Sequence, residues 1–185
     1  MLSITGGSFK SRKLFTPKTN SIRPTPSIVR KGIFDVIGHF WEGGRILDIF
    51  AGTGIMGLEA LSRGFEKSVF IDSSSVAAGI ISRNIGLLNL KDRTEIYKIE
   101  FSRGLELLNK DDQKFDLIYL DPPYKQVNLI NSTLELIWKY RLVKDNGVIL
   151  AEHSSQNKAP KSKVKNLQLK SSKVWGETVV GFYGF

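Results

Sequence analysis

The chain has 185 residues, 41% of them apolar, and no cysteine. That length can bury one sizeable core, and the lack of thiols excludes disulfides and thiolate metal sites, as suits a reducing cytoplasm. The net charge of +9 is uneven: 13 of 27 basic residues fall in two acid-free stretches, before Asp35 and between Glu152 and Glu177, the pattern of a catalytic body with arms for a polyanion.

In chain order, "LSITGGSFKSRKLFTP" reads as a small hairpin turning at Gly6 and Gly7. The "SIRPTP" segment breaks it. "SIVRKGIFDVIGHF" then puts Ile28, Val29, Ile33, Phe34, Val36 and Ile37 at helical spacing, giving an amphipathic helix to about Phe40. From Arg45 strands and helices alternate: "RILDIFA", "KSVFID", "TEIYKIE", "FDLIYLD" and "GVILAEH" as strands, with helical segments between them. Such alternation predicts a parallel sheet with helices on both faces. After a lysine-rich loop, "NLQLKSSKVWGETVVGFYGF" predicts a closing antiparallel hairpin. The expected organisation is a basic hairpin-and-helix extension over 1–42 and an α/β catalytic domain over 43–185. No signal-like start and no run of roughly 20 apolar residues occurs, so a soluble cytoplasmic monomer without a membrane partner is expected.

The first four predicted strands each end in or near an acid: Asp48, Asp72, Glu100 and Asp121. In open α/β sheets ligands bind beyond the carboxyl ends of the strands. A rim of four acids repels itself, so a ligand bearing positive charge and hydroxyls is the simplest occupant. "LDIFAGTGIMG" carries Gly52, Gly54 and Gly57 as G-x-G-x-x-G, where the backbone turns sharply against a ligand. Asp48 can reach an α-ammonium, directly or through water, and the loop and helix amides can take a carboxylate. Asp72 suits ribose hydroxyls. An amino acid joined to a ribonucleoside is S-adenosylmethionine. A nicotinamide cofactor would also suit Asp72, but the chain leaves little room for a dehydrogenase's substrate domain.

The fourth strand ends in Asp121-Pro122-Pro123-Tyr124. A stiff turn is the plain reading. Beside the glycine loop, a chemical role fits better. The Asp121 carboxylate and the Pro122 carbonyl can accept the two hydrogens of an exocyclic base amine, aiming its lone pair at a methyl group. Pro123 keeps Pro122 extended, and Tyr124 can stack on an extruded base.

Together these motifs resemble the Rossmann-like class I methyltransferases. More closely, the chain resembles the RsmD family, which methylates N2 of a guanine in 16S ribosomal RNA. "ITGGSFKSRKLFTP", "IRPTPSIVRKGIF", "LDIFAGTGIMGLEALSRG", "FDLIYLDPPY" and "WGETVVGFY" carry the likeness nearly end to end. It implies a mostly parallel seven-stranded sheet with a C-terminal antiparallel hairpin. It implies S-adenosylmethionine held by Asp48, Phe50, Ala51, Gly52, Thr53, Gly54, Asp72, Glu100 and Asp121, and a small ribosomal subunit or assembly intermediate as partner. Lys10, Arg12, Lys13, Arg23, Thr25 and Arg30 are the candidate RNA contacts. Three residues depart from the family's habit: Lys31 stands for a glutamate, Asp72 for a glutamate and Glu100 for an aspartate.

His39 and His153, the two histidines, have no second nitrogen ligand near them in sequence, so no metal site is expected. Glu59 reads as a brace of the loop or a solvated cap. An adenine-N6 methyltransferase acting on DNA and a nonenzymatic RNA-binding assembly factor are the competing readings.

Overall fold

The computed structural model describes residues 2–17, 24–39, 41–123 and 127–185. Within them, five α-helices and eight strands follow one another as α1 (Ser27–Ile37), β1 (Arg45–Ile49), α2 (Ile55–Ser62), β2 (Lys67–Ile71), α3 (Ser75–Leu88), β3 (Thr94–Tyr97), α4 (Phe101–Lys110), β4 (Phe115–Leu120), α5 (Val127–Lys139), β5 (Val143–Ser154), β6 (Lys163–Val164), β7 (Leu167–Trp175) and β8 (Thr178–Gly184). The strands form one sheet in the order β3-β2-β1-β4-β5-β8-β7-β6. β1 to β5 run parallel, and β8, β7 and β6 each run antiparallel to their neighbour.

The parallel strands are nearly continuous apolar runs because both faces are covered. Alternate residues divide between two cores. Ile46, Leu117, Tyr119, Leu150 and Val180 pack with α1, α2 and α3, whereas Leu47, Ile118, Leu120, Ile149 and Ala151 pack with α4 and α5. The chain leaves β1 toward β2 on one side and returns as β4 on the other. The crevice at that reversal is where such sheets bind ligands, and the carboxyl ends of β1 and β4 bring Asp48 and Asp121 to it.

The mostly parallel sheet and its closing hairpin are as expected, and two residues of the lysine-rich loop pair with β7 to add β6 as a short eighth strand. The N-terminal region needs more correction. The first helix stops at Ile37, where Gly38 takes a φ of 110°. Ile28 and Val36, expected on its apolar face, are exposed, while Arg30 is buried at 2% exposure. The N-terminal hairpin is reduced to one bridge between Ser3 and Lys13, with backbone bonds such as Leu14 to Leu2 beside it. Nor is it separate in packing: Leu2, Ile4, Leu14, Val29, Ile33 and Phe34 share a core with β1 and α2.

Glu59 of α2 makes that union. It is fully buried and accepts the Thr5 amide at 2.9 Å, the Thr5 hydroxyl at 2.6 Å and Arg63 Nε at 3.0 Å. Arg30 Nε lies 3.5 Å from Glu59 Oε2. Arg30 also donates to the carbonyls of Thr25 and Ser3. Burial lowers the Arg30 pKa, and Glu59 opposes that shift. Two arginines and a backbone amide around one carboxylate satisfy a charge that would otherwise be costly to bury.

Candidate active site

A cavity of about 910 Å³ opens at the crevice, with Asp48, Gly52, Asp72, Glu100, Asp121 and Pro122 in its wall. Phe50, Ala51, Thr53, Thr25 and Pro123 line it too. The strand-to-helix turn is tight: Gly52 and Gly54 have φ of 55° and 74°, and Phe50 has 61°. A left-handed phenylalanine is uncommon and marks a backbone held by its surroundings. Gly57 answers a packing need, since a Cβ there would stand 2.3 Å from the Phe70 ring and from Ser68 Oγ.

Each acid has a defined place. Asp48 lies beneath the loop, 2% exposed, with Oδ2 accepting the Gly57 amide at 3.0 Å. Burial pushes its carboxyl up to about 8; the Gly57 bond opposes this and the Asp72 charge adds to it. Asp72 accepts Gly52 N and Ser74 N, both at 2.8 Å. It therefore ties the loop to the end of β2 while keeping lone pairs for a ligand. Glu100 caps α4 by accepting the Ser102 amide at 2.8 Å. Asp121 is half-buried just past the end of β4. Burial first, then Glu152 and Asp48, raise its carboxyl well above the usual carboxylate range.

The site also holds residues that the sequence does not single out. Ile71, Ile99 and Phe101 add an apolar wall beside Phe50, whose ring centroid is 5.2 Å from that of Phe101. Tyr119 lines the cavity from β4 and donates to Glu152, a residue only 1% exposed. Thr25 Oγ1 lies 3.0 Å from the same phenol oxygen. Asn84 of α3 pairs with the amide and carbonyl of Phe15 and with the Thr53 carbonyl. In the sequence, an apolar run hides Tyr119, and Glu152 stands out only as the neighbour of a histidine.

Of the candidate RNA contacts, Lys10, Arg12 and Lys13 are exposed. Arg30 is not available to RNA, because its guanidinium is engaged inside by Glu59 and two carbonyls, and Thr25 is buried against Tyr119. Arg23 and Tyr124 lie outside the described residues. His153 Nδ1 sits 3.0 Å from the Ser154 carbonyl, and His39 pairs with Asp35 at the surface. No metal-binding group of acids and histidines occurs among the described residues.

The family model described as "Conserved hypothetical protein 95" matches residues 2–184. The chain belongs to this family, that of the RsmD methyltransferases. Across the RsmD family, it is 37% identical to the YlbH protein of Bacillus subtilis (strain 168), covering 98% of each chain. It is 31% identical to the ribosomal RNA small subunit methyltransferase D of Buchnera aphidicola subsp. Acyrthosiphon pisum, covering 83% of this chain and 78% of that relative. The solved structure of the Thermus thermophilus protein TTHA0928 covers all of both chains with a TM-score of 0.84 at 24% identity, a likeness of fold.

The residues present fit the RsmD cofactor. The N-cap of α2 is Gly54, which offers no side chain, and Asp48 takes only the Gly57 amide, so the amides of Ile55 and Met56 are the ones left to meet a carboxylate. Thr53 Oγ1 is buried without a hydrogen-bond partner among the described residues, and Thr53 lines the cavity. Carboxylates for an ammonium and for hydroxyls stand on either side of the loop, and the Phe50–Phe101 wall suits a planar base.

Proposed function

We propose that the chain methylates the exocyclic N2 amine of a guanine in small-subunit ribosomal RNA, using S-adenosylmethionine. The carrying observation is that the Asp121-Pro122 turn and the glycine loop face one cavity across the sheet's reversal point. One motif alone would suit a cofactor-binding fold; together they bring an amine acceptor to a cationic cofactor site. Membership of the RsmD family supports ribosomal RNA as the nucleic acid, and the exposed Lys10, Arg12 and Lys13 give its phosphates counter-charge.

The residues divide the work. Asp48 and the amides of the loop and α2 take the amino-acid end of the cofactor, Asp72 the ribose, and the Phe50–Phe101 wall the adenine. When bound, the cofactor supplies a methyl group on a sulfonium, already a good leaving group. Asp121 and Pro122 orient the amine by accepting its hydrogens, and Tyr124 is assigned to stack on the base. This is orientation with preorganised acceptors, the main catalytic contribution open to a site of this composition.

The test is transfer of labelled methyl to small ribosomal subunits lacking the modification, to protein-free rRNA and to duplex DNA, with Asp121→Ala alongside. Label recovered as N2-methylguanine in the ribosomal samples, and lost with Asp121→Ala, is the expected result. Label in DNA adenine would move the activity to that base, and bound cofactor without transfer would leave an RNA-binding assembly factor.

A further inference from the structure

Phe15 closes the N-terminal hairpin with a ring that is 39% exposed. Its backbone is nonetheless fixed. The Phe15 amide donates to Asn84 Oδ1 at 2.8 Å, and its carbonyl accepts from Asn84 Nδ2 at 3.2 Å. Asn84 is fully buried in α3, and the same Nδ2 reaches the Thr53 carbonyl of the cofactor loop at 3.2 Å. A surface ring tied through both backbone groups to a buried amide is thus held at a set place beside that loop. Arg83, the neighbour of Asn84 on α3, lays its guanidinium over the ring, 4.0 Å from the centroid. Arg83 is exposed, and among the described residues no carboxylate pairs with it.

We propose that Arg83, backed by the Phe15 ring, is a stacking platform for a nucleobase of the substrate RNA, flanking the base that enters the cavity. The proposal rests on the RNA-methylating reading above. A guanidinium plane takes a base on its face, and an aromatic ring behind it keeps that plane in one orientation.

The helix that carries Arg83 leads away from the cavity. Val76, 56% exposed, stands in the cavity wall. Arg83 follows it by seven residues, so the two share one face about 10 Å apart along the helix axis. Between them Gly79 and Ser82 are exposed, and a Cβ at Gly79 would meet nothing within 4 Å. The small side chains leave a low path for a strand to cross.

Charge selects the occupant. Helix α3 has no acid, and Arg83 is its one charged residue. Lys10, Arg12 and Lys13 of the hairpin are exposed, and no acid precedes Asp35. A polyanion is drawn to this side, whereas a second copy of the chain would set like charges against one another. Phosphates meet the cations and the platform takes a base, so affinity divides between a salt-dependent and a salt-independent contact.

Filter binding of the full chain to protein-free small-subunit rRNA across a salt series tests this, with calorimetric titration of S-adenosylmethionine alongside. Arg83→Lys keeps the charge and loses the plane. Phe15→Leu keeps an apolar side chain and loses the ring. Each is expected to weaken RNA binding about tenfold at every salt concentration, with the salt slope and the cofactor affinity unchanged. Phe15→Trp should bind as the wild type does. Ultraviolet crosslinking of the wild-type complex, which needs no variant, should join a nucleotide to the peptide carrying Phe15 or Arg83. Wild-type affinity in either Arg83→Lys or Phe15→Leu overturns the proposal, and a salt slope reduced by about one in Arg83→Ala would then make Arg83 a plain phosphate contact. Loss of self-association in place of RNA binding would also overturn it and give the face to a second copy. Wild-type rRNA binding without N2-methylguanine would sink the methylating reading and leave the platform standing. Methylation by the wild type, matched by both variants in RNA affinity, would sink the platform alone.

Discussion

Glu59 and Thr5 lie 54 residues apart, yet the Glu59 carboxylate takes both the amide and the hydroxyl of Thr5. The bonds bind the N-terminal segment to α2, the helix that carries the cofactor loop. Arg30 and Arg63 approach the same carboxylate. Removing it would leave two buried guanidinium groups without their anion. Glu59→Ala should therefore cost about 3–5 kcal/mol, lowering the melting temperature by on the order of 10 °C for a chain of this size. Glu59→Gln should fall between the two. Thermal unfolding checks this, and an Ala variant as stable as the wild type would show that the clasp contributes nothing.

The turn of the N-terminal hairpin meets α2 at a second point. Gly7 has a φ of 75°, and a Cβ there would lie 1.8 Å from the Ser62 carbonyl oxygen, which Ser8 N reaches at 2.8 Å. Gly7→Ala cannot be accommodated without moving the hairpin away from the helix. Limited proteolysis should then cut the hairpin sooner, with loss of roughly 1–3 kcal/mol of stability. Unchanged cleavage and melting would contradict this packing.

Asp48 predicts a trade between stability and binding. Its folded value of about 8 lies above the ordinary unfolded value near 3.9. The sign is that of a raised acid: its contribution is full below pH ~4 and is lost as pH rises through about 8, because the unfolded chain ionises first. The ligand-free protein should lose stability over that window. Asp48→Asn, which keeps an acceptor for Gly57, should remove this dependence and raise the melting temperature at pH 9 by on the order of 10 °C. It should also weaken S-adenosylmethionine binding by about 100-fold, as loss of a buried partner to a cation does. Melting curves against pH and calorimetric affinities measure the two effects; an Asn variant less stable at every pH would reverse the assignment.

Alternating apolar runs and glycine stops make the parallel sheet legible, because continuous burial of β1, β2 and β4 leaves few other patterns. The glycine loop and Asp-Pro-Pro are legible because their residue types are costly anywhere else. The clasp and the Thr25–Tyr119–Glu152 chain are not. A buried ion pair looks, one residue at a time, like the charged face of a helix. Charge alone makes Arg30 a candidate for RNA, and only the fold brings Glu59 beside it. Tyr119 sits in an apolar run where a ring needs no special explanation, and its phenol acquires a role only when β5 is laid next to β4. The sixth strand, two residues long, carries no periodicity to read.

Charge also separates the surface from the interior of the N-terminal segment. Lys10, Arg12 and Lys13 are exposed on a hairpin that Glu59 and Ser62 hold to α2, so three cations are presented on a fixed support. Replacing all three by alanine should weaken binding to small-subunit rRNA and flatten the dependence of log K on log salt by about 2–3, near 0.7–0.9 for each phosphate that is no longer neutralised. Cofactor affinity should stay the same, because none of the three lines the cavity. Arg30→Ala should behave in the opposite way. It should lower the melting temperature by freeing Thr25, Ser3 and Glu59 from their shared anchor, while leaving the salt slope of the folded protein intact. Filter binding across a salt series, set beside melting curves, distinguishes the two. If Arg30→Ala changed the salt slope and the triple variant did not, the RNA would be meeting the protein on another face.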